Sequence, residues 1–218
     1  MNEKMRKILG IVLVAVGLVL VVVVFYPIAD YWTFSKQNFP NLLSPLPSDD
    51  SAQGLLDYRR ASNWFADGLE GEDFVNEKVN YYTISIPSLD IEKATVSIGG
   101  EDLSENLIHY PGTAVPGKSG NSVIFGHSVL PIFYDPKDYL AIFSTLPSLK
   151  KGSKVEVNYD GVYYEYRVED MFEVSPYDIE IMKQASDDSY LTLVTCTPPG
   201  DPRKPKRLIV RAKIVPFN

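Results

Sequence analysis

From Ile8 to Tyr26 the chain runs for 19 residues without a charge, most of them valine, leucine or isoleucine. As an α-helix at ~1.5 Å per residue, the run spans about 28 Å, close to the thickness of a bilayer's hydrocarbon core. Lys4, Arg6 and Lys7 precede it and no basic residue follows before Lys36, so the positive-inside rule puts residues 1–7 in the cytoplasm as a short tail. A cleaved signal peptide would have a shorter apolar region closed by a small-x-small site. Here the run closes on Val-Phe-Tyr-Pro, with Tyr31 and Trp32 suited to the membrane interface. An uncleaved single-pass anchor over 8–26 is therefore expected, with everything downstream folding outside the membrane.

The whole chain has an ordinary globular composition, 45% apolar and 22% charged over 218 residues, so a packed domain is expected. A net charge of −7, with no basic stripe outside Arg203–Arg211, argues against a nucleic-acid partner, which requires a basic face. A single cysteine excludes an internal disulfide, and one cysteine with two histidines is too few for a typical structural zinc site. In an exported chain a solitary cysteine flags a reactive thiol.

Residues 27–78 read as an extracytoplasmic linker. Pro40, Pro45 and Pro47 among serines and acids make Gln37–Gln53 a tether. Leu55–Leu69 spaces Leu55, Leu56, Trp64, Phe65 and Leu69 loosely as a short amphipathic helix would, and reads almost equally well as more linker. From 79 to 218 the texture is β, with strands expected at Tyr81–Ile86, Ala94–Ile98, Ser122–Phe125, Lys154–Tyr159, Val162–Val174, Tyr190–Cys196 and Arg207–Val215. Asp160-Gly161 is a two-residue hairpin signal. Lys137–Leu146 and Tyr177–Ala185, the latter opened by Ser175-Pro176, are expected as short helices. Seven or eight short strands with two or three short helices predict an all-β fold, a closed barrel or a sandwich.

Gly112-Thr-Ala-Val-Pro-Gly-Lys-Ser119 fits the phosphate-loop pattern letter for letter. That loop works only between a buried strand and a helix whose first amides surround the phosphates. Pro111 breaks the approach, Gly120-Asn121 follows, and Val123-Ile-Phe125 continues as a strand, so a turn is expected here rather than a nucleotide site.

Tyr190–Cys196 alternates Leu191, Leu193 and Thr195 with Thr192, Val194 and Cys196. If the leucines face the core, the thiol faces the other way at the strand's end, where Pro198 and Pro199 stop the ladder. Nucleophilic thiol chemistry needs a proton-carrying partner, usually histidine. His127 follows the apolar strand Val123–Gly126 and also sits at a strand end, whereas His109 falls in an irregular segment. An oxyanion needs a fixed donor. The strand after Cys196 should return antiparallel, which brings Arg207 nearest the thiol; Arg211 shares its face about 13 Å further along at ~3.3 Å per residue.

Thr192-Leu-Val-Thr-Cys196 resembles the T-L-x-T-C signature of the sortases, membrane-anchored cysteine transpeptidases of bacterial surfaces. Phe125-Gly-His-Ser128 resembles that family's histidine site, Arg207-Leu-Ile-Val210 its arginine strand, and Pro111–Asn121 the loop before the histidine. The resemblance implies a closed eight-stranded sortase-type β-barrel and a two-step acyl transfer. Cys196 would attack the carbonyl after threonine in an LPXTG-like sorting signal to give a thioacyl enzyme, and His127 would handle the protons. Arg207 would hold the substrate carbonyl and its oxyanion, while Thr195 and Val194 would contact substrate. The implied partners are sorting-signal proteins, an amine acceptor such as a peptidoglycan precursor or a pilin-type lysine, and the membrane through the N-terminal helix. No cofactor is implied, and with no carboxylate in Gly112–Asn121 no calcium or other metal is expected. No second apolar span follows Val215 and no Asp-Pro-aromatic lid motif precedes the barrel, so anchoring rather than pilin polymerisation is the expectation. Two alternatives stay open: an idle barrel that only binds peptide or wall polymer, and a cysteine peptidase using water as acceptor.

Overall fold

The computed structural model describes residues 3–39, 57–65, 80–184 and 187–216. The boundary expected at Val79, residues 40–53 of the tether, Leu55, Leu56 and 66–69 of the amphipathic stretch, and Ala185 lie outside the described residues.

Eight strands form the body of the molecule: β1 (Asn80–Ile86), β2 (Ile91–Ile98), β3 (Leu107–His109), β4 (Gly120–Phe125), β5 (Lys154–Tyr159), β6 (Val162–Val174), β7 (Ser189–Thr197) and β8 (Lys206–Ile214). They close into a barrel in the order β1-β2-β3-β4-β7-β8-β6-β5. The β2–β3 and β4–β7 pairs are parallel and the rest antiparallel. Closure leaves no edge strand open to pairing with another chain. Alternation along each strand fills the interior: Tyr82, Ile84 and Ile86 of β1 meet Val155 and Val157 of β5, Leu191 and Leu193 of β7, and Leu208 and Val210 of β8 in one buried cluster. Asp160 and Gly161 both take positive φ (52° and 75°), the hairpin conformation their sequence predicts.

Three local features differ from the sequence expectations. His109 lies in β3, a strand too short, at three residues, to show a period. Lys137–Leu146 and the described part of Tyr177–Ala185 form turns and the 3₁₀ segments Leu146–Ser148 and Ile179–Met182 rather than α-helices. Asp138 and Asp178 accept the backbone N–H groups of Leu140 and Glu180, local bonds that compete with helix. The Gly112–Ser119 segment is a turn, as expected, and the N–H groups of Ala114 and Gly117 are committed to Gln184 Oε1 and the Tyr166 hydroxyl.

Helix α1 (Glu3–Asn38) does not stop where the apolar run stops. It passes through Pro27 and turns Pro27, Ile28, Tyr31, Phe34 and Ser35, less exposed than their neighbours, to one side. That i, i+4, i+7 spacing is a helix face. The face docks on the barrel through Glu173, buried at the end of β6. Its carboxylate accepts from Tyr31 Oη (3.0 Å), Ser35 Oγ (2.7 Å), Thr197 Oγ1 (3.1 Å) and Lys206 Nζ (2.8 Å). Four donors, one of them a cation, offset the burial of this charge.

Candidate active site

Cys196 and Arg207 stand directly opposite one another across the antiparallel β7–β8 pair, so their side chains leave the same face of the sheet. That face is the outer one: Val194, Cys196 and Ile209 join a second buried cluster, separate from the barrel interior. On the other side of β7 the parallel strand β4 runs with Phe125 level with Val194. Two residues further, at the same rise per residue, His127 comes level with Cys196. The strand ends are stitched together by Gly126 N–H donating to Val194 O (3.1 Å), Thr195 Oγ1 to Gly126 O (2.8 Å) and Ser128 Oγ to Cys196 O (2.7 Å). Gly126 is required by space, since a Cβ there would lie 2.5 Å from a Leu107 methyl and closer still to the Phe143 ring.

Of the residues expected from sequence, Cys196, His127 and Arg207 therefore share one end and one face of the barrel. Val194 forms part of the floor beneath them. Thr195 is buried with its hydroxyl committed to Gly126, and acts as a tie between strands. Arg211 lies four residues along β8, opposite Thr192, beside Asp170 and Asp187 in a different recess. His109 is buried between Tyr82 Oη (2.8 Å from Nδ1) and Thr113 Oγ1 (3.0 Å from Nε2), away from the thiol. Burial holds it near pKa 4.

Leu55–Leu69, expected from sequence either as a short amphipathic helix packed on the domain or as more linker, does pack on the barrel in its described part, as a 3₁₀ turn and over the thiol, a position the sequence did not reveal. Residues 57–65 cross the site and bury it, leaving Cys196 only 2% exposed. The segment is a single 3₁₀ turn, Ala61–Trp64, and it is pinned at its outer side. Ala61 N–H donates to Glu101 O, Leu103 N–H to Arg59 O, and Glu101 Oε1 accepts from Ser62 Oγ (2.5 Å) and Arg60 Nε (3.1 Å). The Trp64 indole stacks on Phe125 (5.4 Å, 9°) and tilts against the His127 ring at 5.7 Å. No Asp-Pro-aromatic motif was needed for this cover. Its signal in the sequence is the Trp64-Phe65 pair between a proline-rich stretch and the first strand.

Arg207 is fully buried under the cover. Nε and Nη2 both donate to the Trp64 carbonyl (3.0 and 2.8 Å), and Nη1 donates to the carbonyls of Lys204 (2.9 Å) and Lys206 (3.2 Å). The rings of Tyr58, Trp64 and Phe65 lie 5.2–5.9 Å from its Cζ. Carbonyls and ring faces thus stabilise the guanidinium, and the fork grips a main-chain carbonyl bidentately. Burial pulls His127 down to about pKa 4, with Lys204 adding to the fall. Its Nε2 is buried and has no hydrogen-bond partner among the described residues. In the covered state the imidazole is neutral at pH 7.

A barrel closed in this strand order, with cysteine facing arginine on one pair and histidine ending the next strand, is the architecture of a class, the β-barrel cysteine transpeptidases. The Sortase domain model matches residues 84–215, and the chain belongs to the sortase family. It is 30% identical over 132 residues to sortase A of Streptococcus agalactiae serotype III (strain NEM316), which covers 60% of this chain and 51% of that protein. It is 28% identical over 227 residues to sortase A of Bacillus anthracis, covering 98% and 96%. The chain thus spans about half the streptococcal relative and nearly all of the Bacillus one. Among solved structures it is similar to sortase C-1 of Actinomyces oris, with TM-score 0.55, 26% identity, and coverage of 89% of this chain and 99% of that one. The relatives carry both A and C designations, so they fix the family and leave the subfamily open.

Proposed function

We propose that this chain is a cell-surface cysteine transpeptidase that cleaves an LPXTG-like sorting signal after threonine and passes the acyl group to an amine. The observation that carries the reading is the Arg207 fork, which stands across from Cys196 and already holds a peptide carbonyl, that of Trp64. A substrate carbonyl in the same fork would sit beside the sulfur. Attack by Sγ forms the thioester carbon–sulfur bond as the amide C–N bond breaks, through an oxyanion that Arg207 stabilises. A positioned donor of this kind lowers the barrier by about 3–4 kcal/mol. His127 takes the proton of the Cys196 thiol and gives it to the departing amine, then takes one from the incoming amine and returns it to the released thiolate, acid–base assistance worth about 10²- to 10⁴-fold in rate. Val194 lines the floor, and Thr195 holds Gly126 and with it the histidine. Because Cys196 is buried, residues 57–65 must move aside before substrate enters.

In this reading residues 1–7 are a cytoplasmic tail, 8–26 cross the membrane, 27–78 connect, and 79–218 form the extracytoplasmic catalytic barrel. The amine acceptor is a cell-wall precursor or a surface-protein lysine. The test is incubation of the full chain with a library of LPXTG-like peptides and candidate amines, read by mass. Ligated product is expected, along with a thioacyl adduct that disappears in Cys196→Ala while the fold is retained. Turnover by Cys196→Ala would refute the mechanism. Hydrolysed peptide with no ligation would point to water as acceptor, and absence of both would point to the idle binding module, a reading favoured by the buried thiol.

A further inference from the structure

Two large apolar side chains lie bare beside the site. Leu130 to Phe133 follows the histidine strand and ends in a 3₁₀ turn, Pro131–Phe133, whose Ile132 and Phe133 are 56% and 63% exposed. The turn does not face open solvent alone. Pro131 and Ile132, with Pro199 from the loop after Cys196, line an apolar recess of about 540 Å³ whose other wall is α1. That wall includes Val23 and Tyr26, the last turn of the charge-free run.

The docked helix also fixes which end of the barrel is near the bilayer. Tyr31 and Ser35 bond Glu173, while Asn38 and Phe39, further from the apolar run, border Val168–Met171 of β6. Walking outward along the helix is therefore walking backward along β6, toward the Asp160-Gly161 hairpin. The ends of β6 and β7, the start of β8 and the end of β4 are then all membrane-proximal, and they carry Cys196, Arg207 and His127. Tyr31 is five residues beyond Tyr26, about 7.5 Å along the axis, which is within the headgroup layer.

We propose that the Leu130–Phe133 turn is a second membrane contact, seating Ile132 and Phe133 among lipid headgroups and upper acyl chains beside α1, so that the catalytic end of the barrel faces the bilayer. The partner is lipid, because the apolar surface of the turn continues that of the membrane-spanning run. Val23 and Tyr26 line the recess together with Pro131 and Ile132, so the end of the run and the turn share one surface. Asp135, two residues past Phe133, limits the depth to the interface. The inference rests on the membrane-spanning reading of 8–26 proposed above.

The test uses the full chain in phosphatidylcholine/phosphatidylglycerol liposomes. In a Cys196→Ala background, single cysteines at Phe133→Cys, Val16→Cys and Tyr163→Cys carry an environment-sensitive nitrobenzoxadiazole label. Quenching is read with lipids bearing a doxyl group at acyl carbon 5 or 12. Tyr163, exposed beside the distal hairpin, is the control. Val16→Cys is expected to be quenched best by the carbon-12 probe. Phe133→Cys should be quenched best by the carbon-5 probe, at least threefold more than Tyr163→Cys. Quenching of Val16→Cys with Phe133→Cys no different from Tyr163→Cys overturns the second contact alone. Val16→Cys escaping both probes overturns the spanning helix and the inference with it.

Discussion

Trp64 shows how much one residue can do in this site. Its carbonyl fills the Arg207 fork, its indole covers Phe125 and the His127 ring, and its own Nε1–H closes the segment by donating to Tyr58 O (2.8 Å). Trp64→Ala removes the stacked cover and should raise the rate at which a thiol reagent labels Cys196 by at least an order of magnitude at pH 7, measured by mass against time. Gly126→Ala acts from below, forcing a methyl into Leu107 and Phe143. Overpacking of this kind costs about 1–3 kcal/mol, and the thermal midpoint should fall together with activity because His127 is displaced. The Cys-His-Arg set was legible in the sequence because each residue lies at or just beyond one end of a short apolar strand, Cys196 near the end of β7, His127 just past β4 and Arg207 at the start of β8. Tyr58, Trp64 and Glu101 were not, because what makes them part of the site is a contact between segments far apart in the chain.

At the scale of elements, the coupling of α1 to the barrel depends on Glu173. Its carboxylate joins Tyr31 and Ser35 of the helix to Thr197, next to Cys196, and to Lys206, next to Arg207. Glu173→Leu leaves those donors without an acceptor and is expected to destabilise the docked arrangement by about 1–3 kcal/mol. In liposomes a probe on the barrel should then rotate more freely, read as lower fluorescence anisotropy, while the far-ultraviolet circular dichroism of the barrel is retained. Unchanged anisotropy would mean the helix is held by other contacts. The helix itself was half legible. Its apolar part is a composition signal, but the continuation through Pro27 to Asn38 follows a face that gains its partner only when β6 ends beside it.

For the whole molecule, both histidines are buried and held near pKa 4, below the ordinary 6.5. Between those values the unfolded chain binds protons that the folded barrel refuses, so folding stability is full above about pH 6.5 and declines as pH falls toward 4. Thermal melts from pH 7.5 to 4.5 should show this decline. His127→Gln should flatten part of it, and Trp64→Ala should shrink the His127 share by admitting water. A melt independent of pH across that window would mean the imidazoles are not excluded from solvent.

The sequence by itself determined the long apolar N-terminal helix, the all-β body, the hairpin at Asp160-Gly161 and the turn in place of a phosphate loop, because each is written in local patterning of charge, period or backbone preference. The family and its three candidate side chains were legible for the same reason, each motif lying within a few consecutive residues. Only the tertiary structure decided that the thiol is covered, that Arg207 already grips a carbonyl, and that the end of the barrel carrying Cys196, His127 and Arg207 is the one against the helix. These follow from strand order and from packing between residues more than a hundred positions apart, such as Trp64 and Arg207 or Tyr31 and Glu173, and no local pattern encodes a distance of that kind.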